Sequence, residues 1–76
     1  MTKRQFNKLK VGDEVSLNGL CRMDVGTICK VVYICDDCMW VTPIKGTLKA
    51  EHSFGDFNEI SYKAANIIQK KQALSL

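Results

Sequence analysis

A chain of 76 residues, 46% apolar and 25% charged, with a net charge of +3, can build one domain around a single small core. This balance excludes a disordered chain. It also excludes a bilayer-spanning helix, because the longest apolar run, Val31 to Cys35, is far too short.

The chain reads as one domain over residues 1–76, with no linker, low-complexity tract or internal repeat. Its first residues, Met-Thr-Lys-Arg-Gln-Phe-Asn-Lys, carry the charge of a signal peptide's first region, but no apolar segment follows. A cytoplasmic location is therefore expected. Phe6 and Leu9 are expected to pack a short helical or extended lead-in against the domain. Residues 1–5 and 72–76 hold few apolar anchors and are expected to be mobile. Val11-Gly12-Asp13 reads as the opening turn. Val15 and Leu17 alternate with Glu14 and Ser16, which predicts a half-buried strand. Asn18-Gly19 is the strongest short turn dipeptide in the chain, and Leu20 to Val25 reads as a loop.

Gly26 precedes a predicted long strand from Thr27 to Cys35. It is rich in β-branched residues and apolar on both faces, as in a strand covered on both sides. Ile28 in this strand, and Val41 in the next, are expected in the core. Asp36-Asp37 is the turn that follows. Cys38 to Ile44 predicts another strand, with Pro43 limiting its pairing. Lys45-Gly46 marks a further turn. In Thr47 to Phe54, Leu48, Ala50, His52 and Phe54 share one face of an alternating segment. Gly55-Asp56 bends the chain, and Phe57 and Ile60 are expected to return it to the core. Ile60, Ala64, Ile67, Ile68 and Leu74 also fit a helical period. The preferred reading is a 3₁₀ turn around Tyr62 to Ala65 and a closing strand at Asn66 to Lys70. Ile67 or Ile68 would then cover an otherwise open sheet edge.

Gly12-Asp13-Glu14-Val15, then Gly26-Thr27-Ile28 with Val31, then a turn and Trp40-Val41, together resemble an SH3-like barrel. The similarity is nearest to KOW modules of ribosomal and transcription proteins, Tudor-like domains and many small phage and prophage proteins. It covers about residues 10–70, with short basic flanks outside. The resemblance implies an all-β fold: a small, strongly bent antiparallel SH3-like barrel of about five strands, with a short 3₁₀ or helical turn near the C-terminus. It also implies a mostly non-catalytic binding module. The chain departs from the KOW pattern at Asp24, Asp36 and Asp37, where that pattern's loops carry bases. This weighs against ribosome or RNA binding.

In a reducing compartment the four cysteines are expected as free thiols or metal ligands rather than disulfides. Cys35-Asp-Asp-Cys38 is a Cys-x-x-Cys, and Cys21 and Cys29 bring the count to that of a structural zinc site. A zinc ribbon uses two such knuckles, whereas Cys21 and Cys29 are not so paired. On strict alternation Cys29 and Cys35 share one face of a strand, about 20 Å apart, too far for one tetrahedral ion. Two aspartates between the thiols also oppose a redox role, because they raise the thiol pKa. No metal and no cofactor are expected. Cys29 reads as a small buried hydrophobe, and Cys35 and Cys38 as flanking a hairpin turn. His52 is the only histidine and is expected as a packed ring at one end of the barrel. No catalytic set or phosphate-binding glycine loop can be assembled, so neither an enzyme nor a small-molecule substrate is expected.

Trp40 is the main pointer to binding. If Val41 faces the core, Trp40 faces outward beside Tyr33, as a platform for a partner protein or a nucleobase. Alternatively, it folds over the open end of the barrel. Charge is segregated. Lys3, Arg4, Lys8 and Lys10 precede residue 11, and Lys63, Lys70 and Lys71 follow residue 62, whereas all eight acids lie between. If the chain ends are close, Lys3, Arg4, Lys8, Lys10, Lys70 and Lys71 form a basic patch; otherwise they only solvate the ends. Two functions are expected: a protein-interaction module, phage- or prophage-borne, using Tyr33 and Trp40; or a nucleic-acid-binding barrel using the basic ends.

Overall fold

The alternating segments find one another in one antiparallel sheet. A computed structural model describes residues 1–18, 25–48 and 50–68. Its strands are β1 (Glu14–Leu17), β2 (Ile28–Ile34), β3 (Cys38–Lys45), β4 (His52–Phe54), β5 (Phe57–Ser61) and β6 (Ala65–Ile67). A helix, α1 (Lys3–Asn7), precedes them, and a 3₁₀ turn, Tyr62–Ala64, separates β5 from β6. The spatial order is β4-β5-β3-β2-β1-β6, with every neighbouring pair antiparallel. Among the described residues no ladder joins β4 to β6, so the sheet is not closed. The class is small and all-β, with six strands where about five were expected. No helix among the described residues is long and apolar enough to cross a membrane.

The core is the inward half of each alternation. Val15 and Leu17 come from β1, Cys29 and Val31 from β2, Met39 and Val41 from β3, and Ile60 from β5. Each large aliphatic side chain so buried contributes about 1.5–3 kcal/mol. Ile28 is only half-buried, against expectation. Both faces of β2 are apolar, and it is Cys29, next along the strand, that takes the inward position.

The N-terminal residues are tied down rather than mobile. Thr2 and Gln5 form a capping box: the Thr2 hydroxyl accepts from the Gln5 N–H at 3.2 Å, and Gln5 Oε1 accepts from the Thr2 N–H at 2.9 Å. Five helical residues would not hold alone in water. Here Phe6 and Leu9 are buried, and the Phe6 ring stacks on Tyr62 with centroids 5.1 Å apart. The Met1 nitrogen donates to the carbonyls of Tyr62 and Ala65. Residues 72–76, expected to be mobile, lie outside the described residues.

The 3₁₀ turn occurs where expected, whereas the closing strand β6 starts earlier than expected, with Ala65, and ends at Ile67, before Ile68. It covers β1 through the pairs Val15–Ile67 and Leu17–Ala65. Asn18 anchors its own turn, donating from its side chain to the Lys63 carbonyl at 2.8 Å. Gly19, most of the expected loop from Leu20 to Val25, the expected end of the closing strand at Lys70, and Leu74 lie outside the described residues.

Two expectations about residues 47–60 are corrected. The segment Thr47 to Phe54 pairs only over His52–Phe54. Leu48 and Ala50 pack against the core, but His52 and Phe54 are exposed. Phe57 also points outward. Its neighbour Asn58 takes the inward position at 5% exposure, accepting from the Ala50 N–H and donating to the Asp56 carbonyl. With both bonds made, this buried amide is tolerated.

Candidate functional site

A β-bulge builds the outer face of the β2–β3 hairpin. Val31 pairs with Val41, both buried, and the next pair is Tyr33 with Trp40. Val32 and Tyr33 therefore face one residue of β3. Strict alternation from Val31 would turn Tyr33 toward the core. The extra residue turns it outward, to 61% exposure, and brings Ile34 opposite Met39. The same shift overturns the expectation that Cys29 and Cys35 share a face. Cys29 is in the core, whereas Cys35 lies beside Cys38 and Glu59.

Trp40 is half-buried between the core residues Met39 and Val41, on the outer face and opposite Tyr33. The row continues across the sheet, since Trp40 pairs with Glu59 and Glu59 with His52. Tyr33, Trp40, Glu59 and His52 thus cross four strands at about 4.8 Å per strand. His52 is exposed in this row and not a packed ring at a barrel end. Beside it, Phe54 pairs with Phe57 across the Gly55-Asp56 turn. Gly55 takes φ 64°, the left-handed conformation that primed hairpin turns need at their first loop position.

These elements enclose an open groove of about 740 Å³. Val32, Tyr33, Trp40, Phe54 and Phe57 supply its apolar wall, and Glu51, His52 and Ser53 its polar atoms. Phe54 is 78% and Phe57 45% exposed, so both rings are open to solvent. Sequence reasoning missed both phenylalanines. The available signal was Phe-Gly-Asp-Phe: a two-residue turn sets its flanking residues directly opposite each other on one face.

Of the residues expected to form a basic patch, Lys3 is engaged by an acid within the chain. Lys3 donates to Asp37 Oδ1 at 2.8 Å and to the Asp36 carbonyl at 2.6 Å, and its ammonium lies over the rings of Phe6 and Tyr62. The hydrogen bond with Asp37 holds the Lys3 pKa above its usual value and that of Asp37 below. Lys8 lines a smaller cleft with Asp13 and Glu14, and the Lys10 N–H donates to the Asp13 carboxylate. Arg4, Lys8 and Lys10 are exposed. Lys70 and Lys71 lie outside the described residues.

One cluster of metal-ligating side chains occurs among the described residues. The sulfurs of Cys35 and Cys38 and a carboxylate oxygen of Glu59 lie within 4.8 Å of one another, all half-buried. The Cys38 thiol donates to Glu59 Oε2 at 3.2 Å. Burial first, and then the bonds to Glu59 and Cys35, push the Cys38 thiol up to about 12.

Comparisons with known proteins add no family. No protein-family model matches the chain, and searches of curated proteins and of solved structures find no significant match.

Proposed function

We propose that this chain is a non-catalytic, SH3-like barrel binding module that holds an extended apolar segment of a protein partner in the groove over Tyr33 and Trp40. The observation that carries this reading is the open aromatic wall of Tyr33, Trp40, Phe54 and Phe57. Aromatic anchors supply large contact area at small entropic cost and dominate interface energetics. The adjoining strand β4 is three residues long and, among the described residues, pairs on one side only, with β5. Its free edge lies beside the groove, where an extended segment can add backbone hydrogen bonds to side-chain contacts.

The alternative is a nucleic-acid-binding barrel. The exposure of Arg4, Lys8 and Lys10 favours it. The groove weighs against it: among the described residues its lining includes the acid Glu51 and neither Lys nor Arg.

Phe54→Ala and Trp40→Ala test the proposal in a pull-down from lysate of the source cells, beside a variant neutralised at Arg4, Lys8 and Lys10. Phe54 is the cleaner probe because its exposed ring supports no core contact. Each aromatic change is expected to cost about 2 kcal/mol of binding or more. The neutralised variant should capture the same proteins, and capture should survive high salt. If instead the aromatic variants bind normally, the neutralised one does not, and binding falls steeply with salt, nucleic acid is the partner.

A further inference from the structure

The tip of the β2–β3 hairpin carries ligand geometry that sequence spacing conceals. Cys35 and Cys38 close the turn, the Cys35 N–H donating to the Cys38 carbonyl at 2.8 Å. Cys38 pairs directly with Ser61, and Trp40 with Glu59, so Cys38 and Glu59 are diagonal neighbours on one face. The third ligand thus comes from β5, far along the chain from the Cys-x-x-Cys. With bonds of about 2.3 Å to sulfur and 2.0 Å to oxygen, a tetrahedral zinc ion spaces two sulfurs about 3.8 Å apart and sulfur from oxygen about 3.5 Å. Here all three atoms lie within 4.8 Å, and Cys38 Sγ is already 3.2 Å from Glu59 Oε2. Small side-chain rotations close the difference.

The surroundings hold this arrangement in place. Lys3 clamps the Asp36-Asp37 turn between the two thiols through the Asp36 carbonyl and the Asp37 carboxylate. Asp37 is thereby committed to the ammonium rather than to the cluster. The three ligand residues are half-buried rather than sealed in the core.

We propose that Cys35, Cys38 and Glu59 bind one thiophilic divalent cation of the zinc type, with the fourth tetrahedral position filled by water or an outside donor. On binding, both thiols give up their protons to solvent, and the metal takes the place of the proton shared between Cys38 and Glu59. Two thiolates select borderline and soft ions over calcium and magnesium. Binding strengthens as pH rises, because it releases protons. This is not the four-cysteine site that the spacing opposes. The fold is held by the core beneath the hairpin, so removing the metal leaves it intact.

Cobalt(II) titration of the reduced, metal-free protein tests the proposal, because thiolate-to-cobalt charge-transfer bands report sulfur ligation directly. Saturation at one equivalent and displacement by zinc are expected. Cys35→Ser and Cys38→Ser should each lose charge-transfer intensity. Glu59→Gln should keep it but weaken binding by at least about tenfold. Cys21→Ser should change neither. In the unmodified protein, one equivalent of zinc should protect Cys35 and Cys38 from iodoacetamide, read by peptide mass spectrometry. This readout needs no variant to fold. The proposal is overturned if no charge-transfer band appears at one equivalent, if zinc leaves both thiols open to alkylation, or if Cys21 proves to be a required ligand.

Discussion

Cys29 fills a fully buried position on β2, and burial pushes its thiol up from 9.0 to about 11. The unfolded thiol ionises first. Between pH 9 and about 11 the unfolded chain therefore binds fewer protons than the native one, and stability falls as pH rises through that window. Urea midpoints measured across it should decline, and Cys29→Ala should flatten the decline. An equal slope in the variant would place the alkaline loss elsewhere. Cys29 was legible as a buried hydrophobe because a lone thiol between Ile28 and Lys30 has little else to do. Ile28 was not legible: where both faces of a strand are apolar, alternation cannot say which one is inside. The outward side of Trp40 was legible only on the condition that Val41 faces inward, which the apolar neighbours Met39 and Trp40 leave open.

Turns and pairings decide the elements. Gly46 adopts φ +94°, and a Cβ added there would lie 2.9 Å from Thr27 Oγ1 and 3.3 Å from its Cα. The Thr27 hydroxyl donates to the Thr47 carbonyl at 2.9 Å, so this threonine cannot yield without losing a bond in a buried site. Gly12 has a similar φ, +103°, with nothing near its absent Cβ. Gly12→Ala should cost only backbone strain, about 1–3 kcal/mol, and Gly46→Ala distinctly more. Thermal melts of the two variants check this, and equal losses would mean that the Thr27 contact relaxes freely. β1, β3 and the 3₁₀ turn with β6 could be read from alternation and turn residues. β4 was overextended because alternation marks what a strand can bury, not whether a partner strand lies alongside. Glu59 as a neighbour of Cys38 was invisible for the same reason, since diagonal pairs exist only once register is set.

At the scale of the whole molecule, one small core must hold both ends of the sheet. Val41 sits at its centre, fully buried and paired with Val31 and Asn58. Val41→Ala should cost about 1–4 kcal/mol by leaving a cavity, a large share of the reserve of so small a domain. A loss under about half a kcal/mol in urea unfolding would show that the core collapses around the gap. The two candidate surfaces divide along the strand order. The aromatic groove lies over β2, β3, β5 and β4, while α1 with its bases packs near Tyr62. The charge segregation behind the basic ends was plain in the sequence. The acid that dilutes it was not, because Asp37 meets Lys3 only when the chain is folded.

The bulge at Val32 also bears on how the strand tolerates a change of length. Omitting this one residue leaves Ile28-Cys29-Lys30-Val31-Tyr33-Ile34, whose side chains alternate without a break between the two faces of the sheet. The strand thus carries one residue more than a regular ladder requires. The backbone absorbs such a surplus by buckling locally, and every downstream side chain keeps its side. A variant lacking Val32 should by contrast run as a regular ladder and still present Tyr33 and Trp40 together.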